Sequence, residues 1–375
     1  MKISELQTPC VLVDHERMSQ NLQRMQAAAT ACGKQLRPHS KTHKSIALAA
    51  RQLELGAGGV CCAKLGEAEV MADAGVEDVR LPYPLHPVNA DRVIALLDRC
   101  RISFIVDHAD VAREWSDAMQ RVGAAVDVLV KVDVGFHRCG IDPTAAGAVD
   151  FVLRVSGLPG LRLRGLLSHA GHGYAATSER EAAAIARDEG NTMRDLAERV
   201  QARGVEIREV SVGATPTVRF SLHEDGITEL RPGNYVYYDR TQVALGAAGW
   251  EDCALTVLAR VVAAPSADRI ILDSGSKSLT NDLARGFAAV PGYGAVLRSL
   301  DGPQAPDGTL SIDRLSEEHA TVRIQGGNSE LRPGDLVRVV PNHSCVVSNL
   351  VDSAWLVSGP DVIEPLRISA RGRIT

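Results

Sequence analysis

Eight consecutive residues, Arg37-Pro38-His39-Ser40-Lys41-Thr42-His43-Lys44, carry five side chains that can be cationic: Arg37, His39, Lys41, His43 and Lys44. Pro38 fixes φ in the middle of the run and removes one backbone donor. Positive charge crowded around an amine disfavours its protonated form, so a lysine here is expected to have a lowered pKa. Such a lysine is a nucleophile able to form a Schiff base with a carbonyl compound. Alternation along an extended segment would put Arg37, His39, Lys41 and His43 on one face and Lys44 on the other, which singles out Lys41. The alternative is a solvated basic loop. A second pair, His343 and Cys345, sits at i and i+2, on one face of an extended segment. Imidazole with thiolate favours Zn²⁺, and two protein ligands leave positions for water and substrate. A packed cysteine beside a histidine is the alternative there.

Side chains so far apart in sequence need a scaffold to bring them together, and the pattern supplies one. Helices are expected at Met18 to Cys32, Leu65 to Ala74, Val88 to Arg99, Ala109 to Val122, Thr144 to Val155 and Glu179 to Arg203. Strands are expected at Gln35 to Lys41, Gly59 to Ala63, Asp78 to Tyr83, Arg101 to Asp107, Val126 to Val134, Leu161 to His169, Glu206 to Gly213 and Thr228 to Tyr238, with a short segment around Phe220 before the last. Strands alternating with helices imply parallel pairing, and eight such units imply an α/β fold of the (β/α)₈ TIM-like barrel type over residues 14–240. No G-x-G-x-x-G follows an early strand, which disfavours an open doubly wound sheet. Beyond residue 240 come short β-type runs at Ala254 to Ala263, Arg269 to Asp273, Ala320 to Ile324 and Leu336 to Val340, separated by turns such as Asp301-Gly302-Pro303. A second, mainly β domain of residues 1–13 and 241–375 is expected, with Cys10 to Val13 joining it.

The 375 residues are 45% hydrophobic, enough for a proper core. A net charge of −5 argues against a nucleic-acid or anionic-membrane surface, and 4% aromatic content against stacking on single-stranded nucleic acid. The N-terminus lacks the apolar core of a signal peptide, and no apolar run reaches membrane-spanning length. Eight cysteines without C-x-x-C or framework spacing fit a cytoplasmic, reducing setting.

On this barrel the chemistry-bearing residues fall at the C-terminal rim, where active sites of the fold lie. Lys41 ends the first strand, Arg138 follows the fifth, and His169, His172 and Tyr174 follow the sixth. Gly213 and Thr215 follow the seventh, and Arg231, Gly233 and Asn234 interrupt the eighth. Gly213 to Thr217 and Gly233-Asn234 suit a phosphate, although Gly-Asn and Thr-Pro are also ordinary turn residues. A phosphate cup beside a Schiff-base lysine suggests pyridoxal 5′-phosphate.

The chain also resembles a known family. Thr8-Pro9, the run Arg37 to Lys44, Gly59 to Glu69, Val210 to Thr217, Ser316-Glu317-Glu318-His319 and Pro341-Asn342-His343-Ser344-Cys345 look like the D-threonine aldolase and D-serine dehydratase family, of the alanine-racemase-like fold type III of pyridoxal enzymes. That resemblance implies Lys41 as the cofactor lysine, His169 stacked behind the pyridine ring, Arg138 near the ring and Arg231 at the ring nitrogen. It places Gly213, Thr215, Gly233 and Asn234 at the phosphate and makes His343 and Cys345 a divalent-metal pair, with Zn²⁺ favoured over Mn²⁺ or Mg²⁺. His172 is the candidate base, or else orients Tyr174. The implied activity is a lyase on small D-3-hydroxy amino acids, working as a homodimer. H-x-C at the metal resembles the dehydratases, whereas Cys61-Cys62, Asp133-Val134-Gly135 and Ala370-Arg371-Gly372 lean to the aldolases. Retro-aldol cleavage to glycine and an aldehyde is the leading expectation. Dehydration of D-serine or 3-hydroxyaspartate is the alternative, ahead of a racemase or a non-catalytic cofactor carrier.

Overall fold

The computed structural model describes residues 1–302, 305–327 and 330–375, so Pro303, in the turn expected at Asp301-Gly302-Pro303, lies outside the described residues. Strand β1 (Cys10–Asp14) leads into α1 (His15–Ala31), which starts where Asp14 accepts the Arg17 N–H at 2.9 Å, satisfying one open donor of the first turn. The chain then alternates through β2 (Gln35–Leu36), α2 (Ile46–Glu54), β3 (Val60–Cys61), α3 (Leu65–Asp73), β4 (Asp78–Pro84), α4 (Ala90–Leu97), β5 (Arg101–Val106) and α5 (Ala109–Arg121). It continues through β6 (Val126–Lys131), α6 (Ala148–Ser156), β7 (Leu161–Leu167), α7 (Glu179–Gln201), β8 (Glu209–Val212), α8 (Thr215–Ser221) and β9 (Glu229–Leu230). The eight strands pair in the order β2-β9-β8-β7-β6-β5-β4-β3. A parallel bridge between His39 and Cys61, with the Cys61 N–H donating to Pro38 O at 2.8 Å, joins β2 to β3 and closes the barrel. Strand β6 is buried at all six residues, as expected for a parallel strand covered on both faces.

One layer inside the barrel is ionic. Arg37 donates to Glu229 at 2.7 Å and to Asp78 at 2.5 Å, and Arg80 donates to Glu229 and Glu209, each at 2.6 Å. Strands β4 and β9 are not neighbours in the sheet, so the Arg80–Glu229 pair crosses the interior.

The remaining chain forms α9 (Arg240–Ala244), β10 (Leu255–Ser266), β11 (Arg269–Leu272), α10 (Ser276–Leu279), β12 (Ala295–Leu297), β13 (Leu310–Leu315), β14 (Ala320–Ile324), β15 (Leu336–Val340), α11 (Ser344–Asn349), β16 (Ser353–Ser358) and β17 (Asp361–Arg367). Strand β1 joins this second sheet, antiparallel to β10 and parallel to β16. One apolar cluster runs from Val60, Leu81 and Val128 of the barrel to Val257 and Val339 of the second sheet. Among the described residues, no helix is long and apolar enough to cross a membrane.

Three local expectations change. The first barrel strand ends at Leu36 rather than Lys41, because the Pro38 carbonyl turns to Cys61 and Ser40–Thr42 winds into a 3₁₀ turn. The two-face alternation therefore fails: Arg37 enters the ionic layer, His43 meets Gln52 at 3.3 Å, and Lys44 pairs with Glu67 at 3.0 Å. The eighth strand is likewise only Glu229–Leu230, followed by a 3₁₀ turn at Asn234–Val236, since Pro232 has no N–H to donate to a ladder. The segment around Phe220 is helix α8.

Candidate active site

A cavity of ≈ 690 Å³ opens at the C-terminal ends of the barrel strands, against the second sheet. Of the residues singled out from sequence, Lys41, His169, Tyr174, Thr215, Arg231, Gly233, Asn234, His343 and Cys345 line it. Arg138, His172 and Gly213 are outside this lining, each beside a residue of it or one residue removed.

Lys41 sits in the Ser40–Thr42 turn, its N–H donating to His39 Nδ1 at 3.4 Å. Its side chain is exposed within the cavity. Burial lowers its pKa; Cys345 pulls the other way, and Arg138 and Arg231 add to the lowering. Arg37 and Lys44 are paired with carboxylates, Arg37 with Glu229 and Asp78 and Lys44 with Glu67, so the arginines that lower the amine come from later in the chain.

Helix α11 packs on the Lys41 turn, where Ser348 Oγ donates to Thr42 O. Just before that helix, His343 Nδ1 lies 2.6 Å from Asp282 Oδ2. The carboxylate can only accept, so Nδ1 carries the proton and Nε2 is left for another partner. Cys345 Sγ lies 3.1 Å from Thr42 Oγ1. Burial opposes an imidazolium at His343, but Cys345, Asp239 and Asp282 outweigh it and raise the pKa to about 10. Burial likewise opposes a thiolate at Cys345, and His343 outweighs it, lowering the thiol. Among the described residues, no three His, Cys, Asp or Glu side chains form a metal cluster; the protein offers two donors and a carboxylate behind one of them.

Arg231 spans the barrel end, donating to Ser211 Oγ at 2.7 Å and to Ser168 O. His169 Nδ1 donates to Gly213 O at 2.5 Å, which fixes its ring, and Phe136 meets that ring edge-on at 5.7 Å. Burial, with Lys41, Lys131 and Arg231 nearby, holds His169 well below the usual histidine range. Arg138 lies over the Phe136 ring at 5.0 Å. Tyr174 Oη accepts from Gln242 Nε2 at 3.4 Å, so Gln242, not His172, holds its hydroxyl. His172 lies one residue beyond the lining residue Gly171, with its ring 3.6 Å from where a Cβ on Gly135 would be.

The expected phosphate residues divide. Thr215 opens α8 with Pro216 next, so the open N–H of this turn is Thr215's own. A Cβ on Gly233 would lie 2.9 Å from His39 O and 3.0 Å from Thr42 Oγ1, so only glycine leaves this seam open. Asn234 is the correction. Its N–H donates to Thr215 Oγ1 at 3.1 Å, and its Nδ2 contacts Asp239 at 2.7 Å, Ser344 at 3.1 Å and Cys345 at 3.4 Å. Its N–H is taken by Thr215 and its side-chain amide by Asp239 and the H-x-C segment, rather than being left for an anion.

Sequence reasoning missed Asp239 and Asp282 in this lining and Lys131, whose charge acts on His169; His39, noted only as a neighbour of Lys41, lines it as well. Lys131 is 3% exposed, and burial with Arg231 nearby lowers it to about 7. Its place at the end of a wholly buried strand was the available signal.

Residues 13–241 match the family model described as "Alanine racemase, N-terminal domain". The chain belongs to that family. Residues 254–357 match a second model, described as "Putative serine dehydratase domain". A D-threonine aldolase of Arthrobacter sp is 32% identical over 99% of this chain and 94% of its own length. A D-threo-3-hydroxyaspartate dehydratase of Delftia sp. (strain HT23) is 33% identical over 91% of each. A D-threo-3-hydroxyaspartate dehydratase variant, solved with a cysteine replaced by alanine and described as metal-free, has a TM-score of 0.91 at 29% identity, over 98% of this chain and 99% of its own. A companion structure carries alanine for a histidine two positions earlier, the spacing of His343 and Cys345.

The residues fit both groups that the family implies. For pyridoxal phosphate, the fit rests on Lys41 lining one cavity with Thr215 and Arg231 and on the glycine-only seam at Gly233. For a divalent metal, it rests on the sulfur of Cys345 and the imidazole of His343 lining the same cavity, with His343 Nδ1 held by Asp282.

Proposed function

We propose that this protein is a pyridoxal-phosphate- and divalent-metal-dependent lyase of D-3-hydroxy amino acids, cleaving them by retro-aldol chemistry to glycine and an aldehyde. The observation that carries this reading is that one cavity is lined by both Lys41 and the His343/Cys345 pair, with α11 packed on the Lys41 turn. The metal-free cysteine variant of the related dehydratase supports a metal at the H-x-C. Imidazole and thiolate favour Zn²⁺, with Mn²⁺ and Mg²⁺ as harder alternatives.

Lys41 would hold the cofactor covalently through Nζ, with His169 against the ring face and Arg231 at the ring nitrogen. Held by Ser211 and Ser168, Arg231 is a fixed cation that disfavours a proton on a nitrogen set against it. Gly213, Thr215 and Gly233 would surround the phosphate. Bound there, the cofactor supplies an electron sink for the bonding pair released at Cα. His343 and Cys345 would hold the metal where it can lower the pKa of the 3-hydroxyl. His172, which follows Gly171 of the cavity lining and whose pKa burial lowers, is the residue we assign to take the hydroxyl proton. The family supports a homodimer, and eight free cysteines support the reducing cytoplasm.

Cys345 favours a second reading, dehydration, because H-x-C resembles the dehydratases at this position. Lys41 would then remove the α-proton and the metal would assist departure of the hydroxyl. Product analysis with D-threonine decides between them: glycine with acetaldehyde supports the aldolase, and 2-oxobutanoate with ammonia the dehydratase. No turnover of D-threonine, D-serine or D-3-hydroxyaspartate would overturn both.

A further inference from the structure

The geometry points to Asp239 as the residue that holds His343 and Cys345 in metal-binding register, an inference that rests on the metal reading above. Asp239 is 1% exposed. Its Oδ2 accepts from the Ser344 N–H at 3.0 Å, from Ser344 Oγ at 3.3 Å and from Asn234 Nδ2 at 2.7 Å; its Oδ1 accepts from the Gln242 N–H at 3.0 Å. Ser344 is the residue between the two candidate ligands, so the carboxylate grips the H-x-C at its midpoint. Two further bonds fasten the same segment to α9: the Arg240 N–H donates to Pro341 O at 3.0 Å, and Thr241 Oγ1 donates to Asn342 O at 2.8 Å.

With four donors already on its two oxygens, Asp239 has little capacity left to ligate a metal itself. It is a positioning residue. Its chemistry cannot be supplied by an amide, because whichever way an asparagine here is turned, its NH₂ faces a backbone N–H of Ser344 or Gln242.

The test titrates Co²⁺ into metal-stripped protein that retains its cofactor, reading the near-ultraviolet charge-transfer absorption of a Co²⁺–thiolate bond. Asp239→Asn should weaken Co²⁺ binding by about 10–100-fold and diminish that band, as for other residues that orient metal ligands, while cofactor absorption persists. Ser344→Ala, which removes only the hydroxyl arm, should weaken binding severalfold and decides the matter if Asp239→Asn does not fold. Wild-type Co²⁺ affinity and band in Ser344→Ala, or in a folded Asp239→Asn, would overturn the role of Asp239 alone. Absence of the band in the wild-type protein would overturn the metal reading and this inference with it.

Discussion

Two layers of one barrel handle charge in opposite ways. In the ionic layer, Arg37 and Arg80 share Glu229, and Asp78 and Glu209 complete the pairing. Burial would raise Glu229, but Arg80 and Arg37 outweigh it and depress its carboxyl to about 2. Two residues further along the chain, Arg231 is equally buried but donates to a serine hydroxyl and a carbonyl, and burial lowers its pKa. Ser211 touches both layers, donating to Glu229 at 2.6 Å and accepting from Arg231. Around Arg231, Lys41 and Lys131 are also pushed toward neutrality. The lower layer matches each charge and serves the fold; the upper layer collects cations under strain of burial, which an anionic ligand would relieve. Stability and chemistry are therefore separable by substitution.

Lys41→Ala is the largest expected break at the upper layer. Turnover of D-3-hydroxy amino acids should fall on the order of 10⁶-fold, as when an essential nucleophile is lost, and the visible absorption of the bound cofactor should vanish. The melting temperature should hold or rise slightly, since a cation disfavoured by its surroundings is gone. Parallel loss of stability would mean that Lys41 belongs with the structural charges.

Glu229→Gln should do the reverse. It takes the shared carboxylate from Arg37 and Arg80, leaving each with one acidic partner, Asp78 and Glu209, and breaking a buried pair costs about 3–5 kcal/mol, read from urea unfolding midpoints. The residual folded enzyme should keep its cofactor. The same carboxylate predicts a pH dependence. Its folded pKa is depressed from 4.5 to about 2, so its contribution is present above about pH 4.5 and is lost as pH falls toward 2. That shift corresponds to roughly 3 kcal/mol. Wild-type stability should decline over this acid window, and Glu229→Gln should flatten the decline.

Asp282→Ala should have a smaller effect, confined to the upper layer. Without the acceptor at Nδ1, His343 loses its fixed orientation, and metal affinity should drop about 10–100-fold, measured by equilibrium dialysis, with cofactor content unchanged. Equal loss of metal and cofactor would argue that the loop carrying Asp282 shapes the whole cavity.

How far the sequence discloses these layers follows from how local their causes are. Strand and helix alternation announced the eight-unit barrel because each unit carries its own pattern, and Lys41 and H-x-C announced themselves by residue type and spacing. The ionic layer was invisible because Arg37 and Glu229 are 192 positions apart. Asp282 and Asp239 escaped notice for the same reason, being 61 and 105 positions from His343 and Ser344. Where local pattern misled, as in extending β2 to Lys41, a proline carbonyl captured by the neighbouring strand had ended the strand early.

The finest probe of the comparison is Gly233→Ala. The added methyl would meet His39 O at 2.9 Å and Thr42 Oγ1 at 3.0 Å, so the turn carrying Lys41 and the turn after β9 must part by a few tenths of an ångström. Overpacking of this kind costs about 1–3 kcal/mol. If that seam is part of the phosphate cradle, the strain should appear mainly as weaker cofactor binding, about tenfold in a titration of stripped protein with pyridoxal phosphate. The unfolding midpoint of the stripped protein should move little, because the ionic layer below is untouched. A lowered midpoint with unchanged cofactor affinity would assign Gly233 to the fold, and the contrast between the layers would then begin above this seam rather than at it.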